Sequence, residues 1–244
     1  MIPSLQLGQA GRWFAPTDPL FANVVLIIDA ESGEDGGNTF IDRSRSARIL
    51  TPQASVQIDK ALHNFGSRSA LLDGTDDGIT AVDTANLALG TADWCVECAV
   101  YFRVLTGTQF VLGQSDSGGS NTSLSFALRK DNTTNIITGF CCSGSSVIGL
   151  LNSSSAVSAT TWYHLAMQRS GSDFSLHING ILEDTASSAS SINDSSNLLG
   201  VGRLGAVATQ ALDGNIDDVR MTVGATRYPM AGNFTPPNMP HPLR

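Results

Sequence analysis

The sequence predicts an all-β fold, an antiparallel β-sandwich of jelly-roll type, and three observations carry the prediction. Short apolar or alternating runs recur along the chain, nearly all bounded by Gly, Asn, Asp or Ser, as strands closed by turns are. The segment Phe174-Ser175-Leu176-His177-Ile178-Asn179-Gly180-Ile181-Leu182-Glu183-Asp184 places Asn-Gly between two such runs, and Asn-Gly supplies the two positive-φ positions of a tight hairpin. Good helix formers are scarce: Glu occurs only at 31, 34, 97 and 183, and Lys only at 60 and 130.

The elements follow in order. Residues 1–22 read as an extended arm, because Gly8, Gly11, Pro16 and Pro19 break any periodicity, and Trp13 and Phe14 sit there with no flanking apolar periodicity. Such aromatics dock on their own core or on a neighbouring subunit. Residues 23–228 read as the sandwich. Val24 to Asp29 is an apolar run of strand length, and Ala70 to Gly74 is a strand entering a turn. Trp94 to Val104 alternates, with Trp94, Val96, Cys98, Val100 and Phe102 on one face and Cys95, Glu97, Ala99 and Tyr101 on the other. Further runs are 110–113, 123–129, 135–141, 147–151, 162–169, 174–179, 198–202 and 216–223; only 80–89 and 205–212 show helical tendency. Residues 229–244 read as an extended strap, with Pro229, Pro236, Pro237, Pro240 and Pro242 excluding a helix.

Composition removes several functions. Fourteen Lys plus Arg against 22 Asp plus Glu give a net charge of −8, with no basic stripe to displace counterions from nucleic acid or an anionic membrane. No apolar run approaches the length of a membrane span. The start, Met1-Ile2-Pro3-Ser4-Leu5-Gln6, has neither the basic nor the apolar region of a signal peptide, so folding in a reducing cytoplasm is expected. Cys95 and Cys98 lie three apart on a strand and point to opposite faces, which opposes a zinc site with Cys141 and Cys142; buried thiols are expected instead.

Four linked motifs in the second half resemble the laminin G-like, concanavalin A-like lectin/glucanase family. They are Thr161-Trp162-Tyr163-His164-Leu165-Ala166-Met167-Gln168-Arg169, Leu176-His177-Ile178-Asn179-Gly180, Leu198-Leu199-Gly200-Val201-Gly202 and Leu212-Asp213-Gly214-Asn215-Ile216-Asp217-Asp218-Val219-Arg220-Met221. The flanks, Asp18 to Leu26, Phe65 to Gly74, Ala225-Thr226-Arg227-Tyr228 and Asn233-Phe234-Thr235-Pro236-Pro237, resemble versions found in virion proteins of tailed bacteriophages. The resemblance spans roughly residues 18–240 and implies two antiparallel sheets with the first strand beside the last.

Within this frame Trp162 is expected between the sheets, and His164 as a satisfied structural histidine rather than a ligand. Arg220 and Arg227 are expected in exposed pairs with Asp217 or Asp218, which stabilise little. His63, His177 and His241 have no acid or nucleophile at a telling spacing.

The resembling fold also hosts glucan-cleaving enzymes, whose strands carry E-x-D-x-x-E or E-x-D-x-E; neither string occurs here. Asp29-Ala30-Glu31-Ser32-Gly33-Glu34 comes nearest and reads as a solvated turn, and Glu97 stands alone on its strand. With no G-x-S-x-G, H-E-x-x-H or Walker loop, a non-enzymatic protein is expected. Calcium is the ionic candidate, since hard cations take clustered carboxylates on loops: Asp73, Asp76 and Asp77, with Asp213 and Asp217. The same Asp-Gly clusters also form ordinary turns.

The expectation is a virion structural module on capsid or tail, made in the bacterial cytoplasm. It would be held to other virion proteins in a symmetric or homo-oligomeric assembly by Trp13, Phe14, Phe234, Pro236 and Pro237. The alternative is a lectin or tail-fibre adhesin for host glycans.

Overall fold

A computed structural model describes residues 17–244 apart from positions 32 and 117. Trp13 and Phe14 lie outside the described residues. In chain order the strands are β1 (Val24–Asp29), β2 (Ile41–Asp42), β3 (Leu50–Gln53), β4 (Gln57–Asp59), β5 (Ser69–Asp73), β6 (Gly78–Ala81), β7 (Trp94–Phe102) and β8 (Gln109–Gln114). They continue as β9 (Phe126–Lys130), β10 (Ile136–Ser143), β11 (Ser146–Ala156), β12 (Trp162–Ser170), β13 (Asp173–Ile178), β14 (Ile181–Ser187), β15 (Leu199–Val201) and β16 (Asp213–Val223).

Two antiparallel sheets face each other. One runs β14-β13-β12-β7-β16-β1-β2, with β5 on the start of β16 and β4 beyond it; the other runs β11-β10-β9-β8-β15-β6-β3. The first strand pairs with the last, Ile27 opposite Arg220, as the family resemblance implies. Between the sheets lies one continuous core, to which alternation commits Trp94, Val96, Cys98, Val100 and Phe102 of β7. Trp94 sits at its centre, 6.0 Å from Phe126 and 6.5 Å from Phe174 between ring centroids.

The four cysteines are unpaired and buried, Cys98 and Cys141 within this core, so they pack as small hydrophobes as expected. Burial pushes the Cys95, Cys98, Cys141 and Cys142 thiols up, away from the reactive thiolate.

Three local expectations are corrected. Residues 80–89 are not a helix: β6 ends at Ala81, and one 3₁₀ turn, Ala85–Leu87, follows. Residues 205–212 are not helical either, because their backbone bonds to strands: Gly205 N donates to Gly113 O, Ala206 N to Ser115 O, and Gln210 O accepts from Phe110 N. Trp162 is not between the sheets. Leu165 and Met167 of β12 enter the core, so Trp162 falls on the outer face, where its ring lies 5.6 Å from that of Tyr101.

The strand β16 carries a β-bulge, a register slip against β7 between Asp217 and Arg220, with Asp218 at φ +49°. A bulge spends two residues where its partner uses one, so the consecutive acids Asp217 and Asp218 leave Ile216 and Val219 both in the core.

The C-terminal strap runs over the outer face of the first sheet and docks on the β13–β14 hairpin. Asn179 and Gly180 adopt φ +51° and +75°, the Asn-Gly turn the sequence predicts. Phe234 N donates to Gly180 O at 2.8 Å, and Asn233 Oδ1 accepts from Leu182 N at 3.0 Å. The side chain of Gln168 on β12 brackets the start of the strap: its Nε2 donates to Tyr228 O and its Oε1 accepts from Arg227 N and Tyr228 N. Asp18 N donates to Arg244 O at 2.7 Å, so the two ends of the described chain meet on this face.

A Cβ on Gly180 would lie 2.1 Å from Phe234 O, whereas one on Gly144, also at positive φ, would meet nothing within 4 Å. Both substitutions to Ala incur the left-handed penalty of about 1–2 kcal/mol. Urea unfolding should therefore show Gly180→Ala clearly more destabilising than Gly144→Ala, and equal losses would contradict a strap seated on the hairpin.

Candidate functional site

The outer face of the first sheet, beneath the strap, holds a layer of buried ionic side chains. Glu97 on β7 is fully buried. Arg220, its cross-strand partner on β16, donates from Nε to Oε1 at 2.9 Å, and its Nη2 lies 2.7 Å from the same oxygen. On the other side His164 of β12 places Nε2 3.1 Å from Glu97 Oε2, which also accepts the Tyr228 hydroxyl. Asp18 ties in the opposite end of the chain, with Arg220 Nη1 at 3.3 Å and Arg227 Nη2 at 2.8 Å. Phe234 covers the cluster, stacked 3.7 Å on Tyr228 at 7° and lying 5.9 Å from His164 and 5.1 Å from His177. His241 closes it: its N–H donates to Asp218, and its Nε2 lies 3.5 Å from Asp218 Oδ2 and 3.9 Å from Glu97 Oε2.

Burial opposes ionisation of Glu97, and His241, His164 and Arg220 around it outweigh that cost, holding the carboxyl well below the usual carboxylate range. Burial pushes Asp218 up to about 8 and Asp217 up to about 6, against the pull of the backbone N–H groups they accept. Burial pushes His241 down to about 3, so its ring is neutral at neutral pH. A buried charge pair whose hydrogen bonds are all made is costly to break, because removal of one partner strands the other.

These placements revise the sequence reading. His164 is structural, as expected, but only half satisfied: Nε2 meets Glu97 Oε2, while Nδ1 is buried without a hydrogen-bond partner. Arg220 and Arg227 are not in exposed pairs with Asp217 or Asp218; they are buried against Glu97 and Asp18. Glu97 does not stand alone, and His241 finds two acids. The legible signal was β7 itself: Cys95 and Ala99 flank Glu97 on the outward face, and apolar residues there indicate a covered sheet. Phe234 packs on the chain's own Tyr228 and hairpin, with Pro236 and Pro237 half-buried beside it.

The acidic candidates divide. Asp73, Asp76 and Asp77 each bring a carboxylate oxygen within 4.8 Å of the others, and Asp213 pairs with Asp73 across the strands. Asp217 lies elsewhere, its Oδ2 accepting from Asn64 N and Phe65 N at 2.9 Å, and is removed from any such cluster. Asp77 is a staple: Oδ1 accepts from Ser55 N and Oγ, and Oδ2 from Asp73 N. Asp213 faces Arg103 at 2.6 Å. Calcium takes six to eight oxygens; Asp73 Oδ1 accepts from Thr75 N at 2.8 Å, and the remaining carboxylate oxygens of Asp73 and Asp76 do not form that cage. Beside them opens a cleft of about 580 Å³ lined by Thr75, Thr106, Thr108, Gln109, Asn132 and Gln210 together with Asp73 and Asp213.

Two measurements check the ionic layer. Glu97→Gln should lower unfolding stability by about 3–5 kcal/mol, since two guanidinium groups lose their shared buried acceptor. Asp217 and Asp218 have raised folded pKa values, so their stabilisation is full below about 4 and lost as pH rises through about 6 and about 8. The depressed His241 acts oppositely, losing stability as pH falls from about 6.5 towards about 3. Stability followed from pH 5 to pH 9 should decline in the wild type and decline less in Asp218→Asn; identical slopes would contradict this assignment.

The superfamily description "concanavalin A-like lectin/glucanases", in its laminin G form, matches residues 73–225. No curated protein sequence matches the chain. Among solved structures, the binding domain of Paraclostridial Mosquitocidal Protein 1 superposes with TM-score 0.66 at 15% identity, over 85% of this chain and 50% of that one. Domain 4 of AbnA, a GH43 extracellular arabinanase from Geobacillus stearothermophilus in complex with arabinotriose, gives 0.60 at 15%, over 84% and 94%. A botulinum neurotoxin type C chain, whose cell entry depends on interaction with two ganglioside molecules, gives 0.57 at 11%, over 83% and 48%. This chain spans about half the length of the two toxin chains. At these identities the likeness is one of fold; the family match over residues 73–225, from the end of β5 through β16, establishes that the chain belongs to the concanavalin A-like lectin/glucanase superfamily.

Proposed function

We propose that the chain is a non-catalytic recognition module that binds carbohydrate and is displayed on a bacteriophage virion, made in the bacterial cytoplasm and joined to other virion proteins. The observation that carries the binding reading is the end cleft, where hydroxyl, amide and carboxylate groups of Thr106, Thr108, Asn132, Gln210, Asp73 and Asp213 converge. Such groups exchange hydrogen bonds with sugar hydroxyls, and their number compensates for the lack of an aromatic ring in the lining. The buried Glu97 supports the non-catalytic part: both its oxygens are filled by Arg220, His164 and Tyr228, beneath the strap. A general acid or nucleophile needs a lone pair or proton facing substrate.

The virion reading is supported by the phage-like flanks and by the distribution of contacts. Phe234 is engaged within the chain, so attachment falls to residues 1–16 with Trp13 and Phe14, and to the rim of the strap at Pro236 and Pro237. The adhesin alternative is favoured by the neighbours, which include toxin binding domains and a domain bound to arabinotriose. The two roles coincide if the displayed module contacts host glycans.

A glycan array should return carbohydrate ligands, and Asn132→Ala with Gln210→Ala should weaken them about tenfold, the equivalent of about one or two lost hydrogen bonds. Undiminished binding would move the site elsewhere. Deletion of residues 1–16, which leaves Asp18 in the ionic layer, should abolish incorporation into particles while circular dichroism of the purified chain is unchanged. Normal incorporation would refute attachment through the arm.

A further inference from the structure

The outer face of the second sheet carries a cation set against two aromatic rings. Alternation along β9 sends Phe126 and Leu128 into the core and Ala127 and Arg129 outward. There Arg129 lies opposite Phe110 of β8 and Thr138 of β10. Its guanidinium carbon is 5.9 Å from the Phe110 ring centroid and 5.4 Å from that of Phe140. Its Nε is buried without a hydrogen-bond partner, and no described residue forms an ion pair with it. The neighbouring Asp131 is engaged in its own exposed turn: its Oδ1 accepts from Thr133 N, Thr134 N and Thr134 Oγ1.

Three other buried cations of the fold are committed to backbone carbonyls. Lys130 donates to Leu105 O and Gly107 O, Arg169 to Gly90 O and Ser188 O, and Arg203 to Asp76 O and Ala206 O. Arg129 is thus held beside two aromatic rings, and its charge meets a carboxylate only through the longer-range attraction of Asp131. The row continues across the sheet: Thr138 Oγ1 donates to Asn152 Oδ1 at 3.1 Å, and Leu150 beside it is 49% exposed.

We infer that Arg129 receives the carboxylate of an acidic sugar on this face, with Thr138 and Asn152 beside it for the ring hydroxyls. A guanidinium matches a carboxylate bidentately, and one already immobilised by stacking loses little rotamer freedom on binding. The inference rests on the carbohydrate-binding reading and adds a ligand class and a second surface to it. Because the chain carries a net charge of −8, the attraction acts at contact range and weakens with salt.

The test pairs matched ligands against wild type, Arg129→Gln and Arg129→Lys. One pair is a sialic-acid-terminated trisaccharide and its desialylated form; the other is an oligogalacturonate and its methyl ester. The acidic member of at least one pair should bind about tenfold or more tightly than its neutral partner. Arg129→Gln should remove that preference, Arg129→Lys should keep only part of it, and both variants should unfold at the wild-type urea midpoint. Which pair responds names the source of the carboxylate. Equal binding of acidic and neutral members, or an unchanged preference in Arg129→Gln, overturns this site and leaves carbohydrate binding standing. If no sugar binds, the broader reading fails, and titration of the Arg129 Nε–H NMR resonance with sodium glucuronate decides the site separately: a saturable shift supports it, and none refutes it.

Discussion

The structure depends on the contact between Glu97 and Arg220. Around this cross-strand pair, the middle strands of one sheet, the described N-terminus through Asp18 and the C-terminal strap through Tyr228 and His241 are drawn onto a single face. A carboxylate fully removed from water is tolerated only where donors surround it, and here the donors come from segments far apart in sequence. Closing the strap and satisfying Glu97 are therefore one event. That coupling explains why a Pro-rich tail with no strand of its own holds a defined path: its backbone bonds at Phe234 and His241 are made to a hairpin and a bulge already in place.

Much of the fold was legible because period-two alternation is a local property. The inward set of β7, the Asn179-Gly180 turn and the pairing of first and last strands all follow from patterns within a few residues or from the family motifs. Errors arose where a neighbour overrode local preference. Residues 205–212 look helical in isolation, yet the strands beneath take their backbone bonds. Trp162 is large and apolar, yet its phase is set by Leu165 and Met167, and it goes outward.

The candidate sites were less legible, because they are assembled across sequence distance. Asp73, Asp76 and Asp77 could be grouped by proximity, and they do converge; Asp213 joins them through strand pairing, while Asp217 goes to another loop. Nothing near Glu97 announces His241. The bulge that turns Asp217 and Asp218 toward the covered face has as its only sequence trace two acids in succession within an apolar strand. A lone acid in a strand flanked by apolar residues on both faces is the signal worth keeping: it marks buried partners to be found elsewhere, more often than a solvated charge.

For function, the consequence is a division of surfaces. One face is closed by the chain's own strap, and the acids gathered there hold the structure together. Under the proposed carbohydrate-binding role, the surfaces assigned to recognition are the end cleft beside Asp73 and the outer face of the second sheet. The most direct measurement of the central claim is amide hydrogen exchange at Phe234 and His241 in the wild type and in Glu97→Gln. If the buried pair holds the strap, both amides lose protection together in the variant while the Leu165–Ile178 pairing of β12 and β13 stays protected. Wild-type protection at both strap amides in the variant would contradict the account.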